Sequence, residues 1–242
     1  MSIPIYLSAY PDETGDLSGY PTARLGFRLS QESPALLAPD PPDDPASLMV
    51  LRDDAPPSYE PAPALAQMLA AYAKNYYSGL VCDWRKPGVP FYDALAGMLD
   101  EVCAELELPL WLTEGYAEAS RGAKVMIGSD VVEGGFSQRL AEADSRWPGR
   151  CILSLIPLRV RCTLPKPGET LEMEALPELA GDAPAFFSED LRCMYYSQSD
   201  GAGVAFTLYD TRETIERKLQ AAEEAGFQAA VGPLPELAAL PE

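Results

Sequence analysis

The chain has 242 residues, 37 acidic against 18 basic side chains for a net charge of −19, and no histidine. Such a field repels phosphate backbones and anionic lipid surfaces, which argues against nucleic-acid and membrane partners. The missing imidazole removes Ser-His-Asp and Cys-His nucleophiles and His-ligated zinc, leaving carboxylates, Tyr, Cys and Lys for proton transfer.

The opening MSIPIYLSAYPDETG carries neither a basic region nor the apolar run of a secretory signal, and no stretch approaches the length of a membrane span. Cys82, Cys103, Cys151, Cys162 and Cys193 are scattered without CxxC spacing. That pattern predicts free thiols in a reducing compartment, hence a cytoplasmic protein without a metal centre. No glycine pattern cradles a phosphate and no calcium-loop spacing occurs, so no cofactor is expected.

Proline makes up 24 of the 242 residues and is dense between Pro34 and Pro63. There PDPPDDP and APPSYEPAP flank the apolar run Ser47–Leu51, which predicts extended loops around one short strand. A helix follows from Pro63 to about Tyr77, with Leu65, Met68, Leu69, Tyr72 and Tyr76 at helical spacing. A second runs from Tyr92 to about Leu106, and a weaker one from Phe136 to Arg146. The last begins at Asp210, a plausible N-cap with Glu213 three residues on, and stops at Gly226.

Strands are predicted at Arg24–Leu29, Leu48–Leu51, Leu80–Trp84, Leu110–Thr113, Lys124–Ile127, Cys151–Ile156 and Phe227–Val231. Arg192–Ser197 and Val204–Tyr209 read as a hairpin. Strand–helix alternation in the second half implies a parallel sheet with crossover helices. The length suits one (β/α)8 barrel of roughly 250 residues. Helices are lacking in the first 60 residues, and the link between Thr113 and Lys124 is too short for one. The expectation is therefore a single α/β domain over residues 1–242, an irregular or incomplete (β/α)8 TIM-type barrel with a Pro-rich loop segment at 34–63.

The block Ser78-Gly79-Leu80-Val81-Cys82-Asp83-Trp84-Arg85 resembles the catalytic strand of glycoside hydrolase family 18, the chitinase-like barrels, with its pattern Asp-x-x-Asp-x-Asp-x-Glu. On that pattern Ser78 and Val81 stand where the first two acids belong, Asp83 keeps the third, and Arg85 replaces the Glu. Tyr209-Asp210 followed by Thr214-Ile215-Glu216-Arg217-Lys218 and Gly226 is similar to the family's closing strand and helix. Ala229-Ala230-Val231-Gly232-Pro233 lacks the Trp that the family's last strand carries. The resemblance implies a barrel with its site at the C-terminal mouth, and substrate-assisted hydrolysis led by the Glu. A guanidinium at Arg85 cannot serve as that acid. The ordinary family chemistry is thus expected to be gone, with a saccharide or other small polar ligand still bound at the mouth.

Strand ends facing a barrel mouth supply the candidate residues. Asp83 leads, with charge neutralisation by Arg85 on the same face as its plainer role. Alternatively, Arg85 can hold a ligand carboxylate or phosphate. Glu114 and Asp130 end the next two strands; a solvated loop charge for the first and a cap on the Gly134-Gly135 loop for the second are the plainer readings. Tyr195 and Tyr209 offer rings for stacking on a sugar, although strand aromatics more often belong to a core. Trp84 faces the helices by parity and is expected in the core. Two alternatives stay open. One is an active glycoside hydrolase using Asp83 and Glu114; the other is a scaffold that docks a partner on the Pro56-Pro57-Ser58-Tyr59 segment in polyproline II form.

Overall fold

The structure, a computed structural model, describes residues 3–9, 19–36, 40–53, 55–84, 86–163, 169–170, 184–199 and 204–241. Eight parallel strands form a closed ring. In chain order they are β1 (Ile5–Ala9), β2 (Thr22–Leu29), β4 (Leu48–Asp53), β5 (Gly79–Asp83), β6 (Leu110–Thr113), β7 (Lys124–Gly128), β8 (Cys151–Ser154) and β14 (Ala230–Pro233). Each pairs with its neighbour, and β1 closes the ring by pairing with both β14 and β2. The short β3 (Pro34–Leu36) lies antiparallel on β2, outside the ring.

The first strand escapes a reading by hydrophobic runs, because Ile5-Tyr6-Leu7-Ser8-Ala9 is short and partly polar. Its pairing with β14, where Ile5 stands opposite Ala230, and with β2 makes it a strand. The predicted hairpin exists, as β12 (Cys193–Ser199) and β13 (Val204–Tyr209), but it does not belong to the barrel. With β9 (Arg159–Thr163), β10 (Glu169–Thr170) and β11 (Phe186–Ser188) it builds a separate antiparallel sheet in the order β10-β9-β13-β12-β11. This sheet is inserted between β8 and the helix that follows it.

The expected irregularity is therefore in the helical layer. Helices α1 (Pro63–Tyr76), α2 (Pro90–Glu105), α3 (Phe136–Arg146) and α4 (Arg212–Glu224) cross between strands, and α5 (Leu234–Ala238) follows β14. The β6–β7 link holds only a 3-10 turn, Glu114–Ala119. In α1 the buried face is Ala66, Leu69, Ala70 and Ala73; of the residues that signalled the helix Leu69 is buried and Leu65 and Tyr72 pack partly buried against the core, while Met68 and Tyr76 are exposed. Small residues let the helix lie close on the sheet, so Tyr72 packs at the margin, edge-on to Phe27 at 5.2 Å, and Tyr76 turns outward.

Helix α4 is capped by Thr211, whose side chain accepts from the Thr214 N–H while the Thr214 hydroxyl accepts from the Thr211 N–H. The cap is thus one residue after Asp210, which has another task. Asp210 and Lys218 are both 0% exposed and paired at 2.7 Å. The Asp210 carboxylate also accepts from the Leu158 N–H (2.8 Å) and the Thr214 hydroxyl (2.8 Å), and Lys218 Nζ donates to the Ser129 carbonyl (3.1 Å). Gly226 follows the helix at φ +83°, where L side chains are strained.

Three large apolar cores result among the described residues, beside two small clusters, Leu7 with Leu234 and Leu158 with Cys193 and Leu208. One lies between α1, α2 and strands β2 and β4–β6, and holds Trp84 stacked on Tyr92 with ring centroids 4.8 Å apart. A second joins α3 and α4 to β7, β8 and β14. The third fills the barrel itself, with Ala23, Leu25, Val50, Val81, Trp111 and Met126 among its inward residues, and Tyr6 set edge-on to Trp111 at 5.0 Å. The described part of the Pro-rich segment lies against this body. Ser58 donates from its N–H and its hydroxyl to the Gln31 carbonyl, both at 2.9 Å, and Tyr59 packs edge-on to Phe91 at 5.2 Å.

Candidate functional site

At the C-terminal ends of the barrel strands opens a cleft of about 1230 Å³. It descends along the barrel axis because the inward positions Ser8, Ala23, Gly128 and Ser154 are small. One wall is the barrel rim. The facing wall is the inserted sheet and its approach, through Ile156, Leu158, Val160, Cys162, Phe206 and Leu208.

Asp83, Glu114 and Asp130 all line this cleft. Asp83 ends β5 pointing inward, two residues beyond Val81. Its partner among the described residues is Arg52, on the same rung of β4, with Nε 3.4 Å from Oδ2. Glu114 opens the turn after β6 and pairs with Arg139, in the first turn of α3. About a third of each carboxylate side chain remains exposed. Asp130 is exposed and makes no hydrogen bond or ion pair with any described residue. Its Oδ1 lies only 2.6 Å from where a Cβ on Gly128 would stand, so the carboxylate rests on a bare backbone. The cap on the Gly134-Gly135 loop is not among its contacts.

Arg85 falls outside the described residues. The other positions of the resemblance are accounted for. Ser78 lies at the opposite end of β5, where its hydroxyl donates to the Ala46 carbonyl at 2.6 Å. Val81 belongs to the barrel's inner core.

Tyr195 and Tyr209 do not line the cleft. Tyr209 packs against Tyr196 at 6.1 Å, and burial pushes its phenol pKa up. Tyr195 packs against Phe186 at 5.8 Å. Parity explains the loss of Tyr209: on β13 the cleft-facing residues are Phe206 and Leu208, so Tyr209 looks the other way, whereas Tyr195, opposite Leu208, shares their face one strand farther out. Trp84 is core, as its parity required; Thr113 Oγ1 donates to its carbonyl at 2.9 Å and ties the ends of β5 and β6 together.

Five charged side chains around the site, Arg52, Glu133, Arg139, Arg159 and Glu236, are not among the residues to which the sequence pointed. Arg52 had a readable signal, since it follows Leu48 and Val50 on the inward side of one strand. Arg139 comes from a helix N-terminus, and Arg159 and Glu236, 3.8 Å apart, come from β9 and α5. No local pattern brings those to the mouth. In all, the described cleft wall holds the carboxylates of Asp83, Glu114, Asp130, Glu133 and Glu236 against the guanidiniums of Arg52 and Arg159. No group of three or more His, Cys, Asp or Glu among the described residues is arranged to hold a metal. Among them, too, no helix is long and apolar enough to cross a membrane.

The chain is a closed (β/α)8 barrel with carboxylates gathered at its C-terminal mouth, where barrels of this fold keep their sites. No protein-family model and no curated protein matches the sequence. Solved structures are similar in fold. A chitinase from Chromobacterium violaceum superposes with a TM-score of 0.62 at 11% identity, covering 96% of this chain and 93% of that one. The Bacillus cereus spore cortex-lytic enzyme SleL gives 0.61 at 13% identity, over 98% of this chain and 72% of that one. A family GH18 chitinase from Cycas revoluta gives 0.56 at 13%, over 95% and 94%. The chain therefore has the fold of the family 18 chitinases, in agreement with the resemblance carried by the fourth barrel strand.

Proposed function

We propose that the protein is a saccharide-binding barrel that does not cleave its ligand by the substrate-assisted route. The observation that carries this reading is the meeting of Asp83, Glu114 and Asp130 on one open cleft, with the first two already engaged by Arg52 and Arg139. A carboxylate held by a guanidinium acts as a hydrogen-bond acceptor, a poor start for a proton donor. The sequence adds Arg85 where the family acid would stand. The solved neighbours are chitinases and a spore cortex-lytic enzyme, which favours glycans built of hexosamine units. The cleft exceeds the roughly 300–1,000 Å³ of most small-molecule pockets and suits several sugar rings. Five free thiols, four of them buried, suit the cytoplasm.

Titration calorimetry with hexosamine tetramers, beside incubation with an aryl chitobioside, tests this. Saturable binding with no release of the aryl group is expected. No binding to any hexosamine oligomer would remove the saccharide reading. Turnover that disappears in Asp83→Asn or Glu114→Gln would install the other reading, a working glycoside hydrolase. That reading draws on the same convergence of carboxylates.

A further inference from the structure

We infer that the cleft selects amine-bearing, cationic saccharides over their neutral N-acetylated counterparts, with Asp130 holding a sugar ammonium. This rests on the saccharide-binding reading and names its ligand class.

The first observation is the charge balance of the wall. Among the described residues five carboxylates face two guanidiniums, and each of these guanidiniums is already paired with a carboxylate, Arg52 with Asp83 and Arg159 with Glu236. Arg139 answers Glu114. Asp130 and Glu133, on one loop, meet no cation among the described residues. A concave site with low-dielectric walls focuses such a field, and the net charge of −19 reinforces it at longer range. A neutral N-acetyl group gains nothing from it, whereas a protonated amine replaces lost water contacts with a charge-assisted hydrogen bond.

The second observation is independent of charge. Val132 and Ile156 are each 41% exposed, and both line the cleft beside Asp130. Large apolar groups left open inside a cavity call for an apolar surface on the ligand. A hexosamine ring supplies one through the C–H groups of its face, with the ammonium projecting from the edge. A linear polyamine carries the charge without that face.

The third is the seat of Asp130. Its carboxylate lies over Gly128, where a Cβ would approach Oδ1 to 2.6 Å and Ile156 Cδ1 to 3.7 Å. The glycine thus sets where the charge stands, next to the exposed isoleucine. Because Asp130 is exposed, replacing it leaves the barrel core untouched.

The experiment is titration calorimetry at about pH 5.5, below the usual amine pKa, with tetraglucosamine, its N-acetylated counterpart and spermine. Tetraglucosamine is expected to bind about tenfold more tightly than the acetylated tetramer, the size of one charge pair in a partly hydrated cleft. Asp130→Asn and Gly128→Ala should each erase most of that preference, weakening tetraglucosamine binding several-fold more than binding of the acetylated tetramer. Equal or tighter binding of the acetylated tetramer overturns the inference and leaves the saccharide reading standing; binding of neither tetramer overturns both. Spermine binding as tightly as tetraglucosamine overturns the assignment to a sugar. A preference unchanged in Asp130→Asn overturns the role of that residue.

Discussion

Arg52 and Asp83 stand on one rung of two adjacent parallel strands, β4 and β5, and their side chains meet 3.4 Å apart inside the barrel mouth. Both remain partly hydrated, so the pair sets local charge more than it holds the fold. Arg52→Met should change the unfolding free energy by no more than about 1 kcal/mol. It should also tighten tetraglucosamine binding roughly two- to fivefold, because the cleft loses a cation. Urea denaturation and calorimetry read the two effects. Weaker binding in the variant would contradict the electrostatic account of the cleft.

The Asp210–Lys218 pair behaves differently, since neither side chain touches solvent. Lys218→Met strands a buried carboxylate and should cost about 3–5 kcal/mol. Asp210→Asn combined with Lys218→Met removes both charges and should recover much of that loss, because the amide oxygen still accepts from the Leu158 N–H. Additive losses in the double variant would show that the pair carries no coupling.

Thiol labelling separates the five cysteines. Cys82, Cys103, Cys151 and Cys193 are buried, and burial pushes their thiols up, to about 12 for Cys103 and Cys193 and about 11 for Cys151. Cys162 alone is partly open and lines the cleft. Iodoacetamide at about pH 8 should modify Cys162 first, with the others reacting only on unfolding. Saturating saccharide should slow that first step. Uniform labelling by mass spectrometry would refute the assigned burial.

The same shifts give a sign for alkaline stability. Unfolded thiols ionise near 9.0, and the folded ones keep their protons to about 11–12. Between those values the folded state binds more protons, so stability is whole below about pH 9 and falls as pH rises toward 12. Urea midpoints measured at pH 8, 9.5 and 10.5 should decline in that order. A flat or rising series would contradict the burial of these groups.

Much of the barrel was legible from local pattern. Leu80–Trp84 reads as a strand by its apolar run, and the alternation within it already puts Asp83 in the mouth and Trp84 in the core. The limits of α3, Phe136–Arg146, follow from helical spacing. These features depend on periods of two and 3.6 residues, which a chain displays along its own length. Burial within a helix was less legible. In α1 the spacing of Leu65, Met68, Leu69, Tyr72 and Tyr76 marked the helix, but close packing filled most of its inner face with Ala66, Ala70 and Ala73 beside Leu69 and left Met68 and Tyr76 exposed.

The sequence by itself determined a histidine-free, acidic chain, its main helices, and a carboxylate at the end of the fourth barrel strand in place of a full family motif. Only the tertiary structure decided that Ile5–Ala9 closes the ring, that the Tyr195 and Tyr209 strands leave it, and that Arg52, Arg139 and Glu236 join the mouth. It also turned Asp210 from a cap into half of a buried ion pair. The physical reason is range. Side-chain parity and helix period are settled within a few residues, whereas strand pairing, ring closure and charge partnership join residues far apart, and no local pattern records which distant partner each will meet.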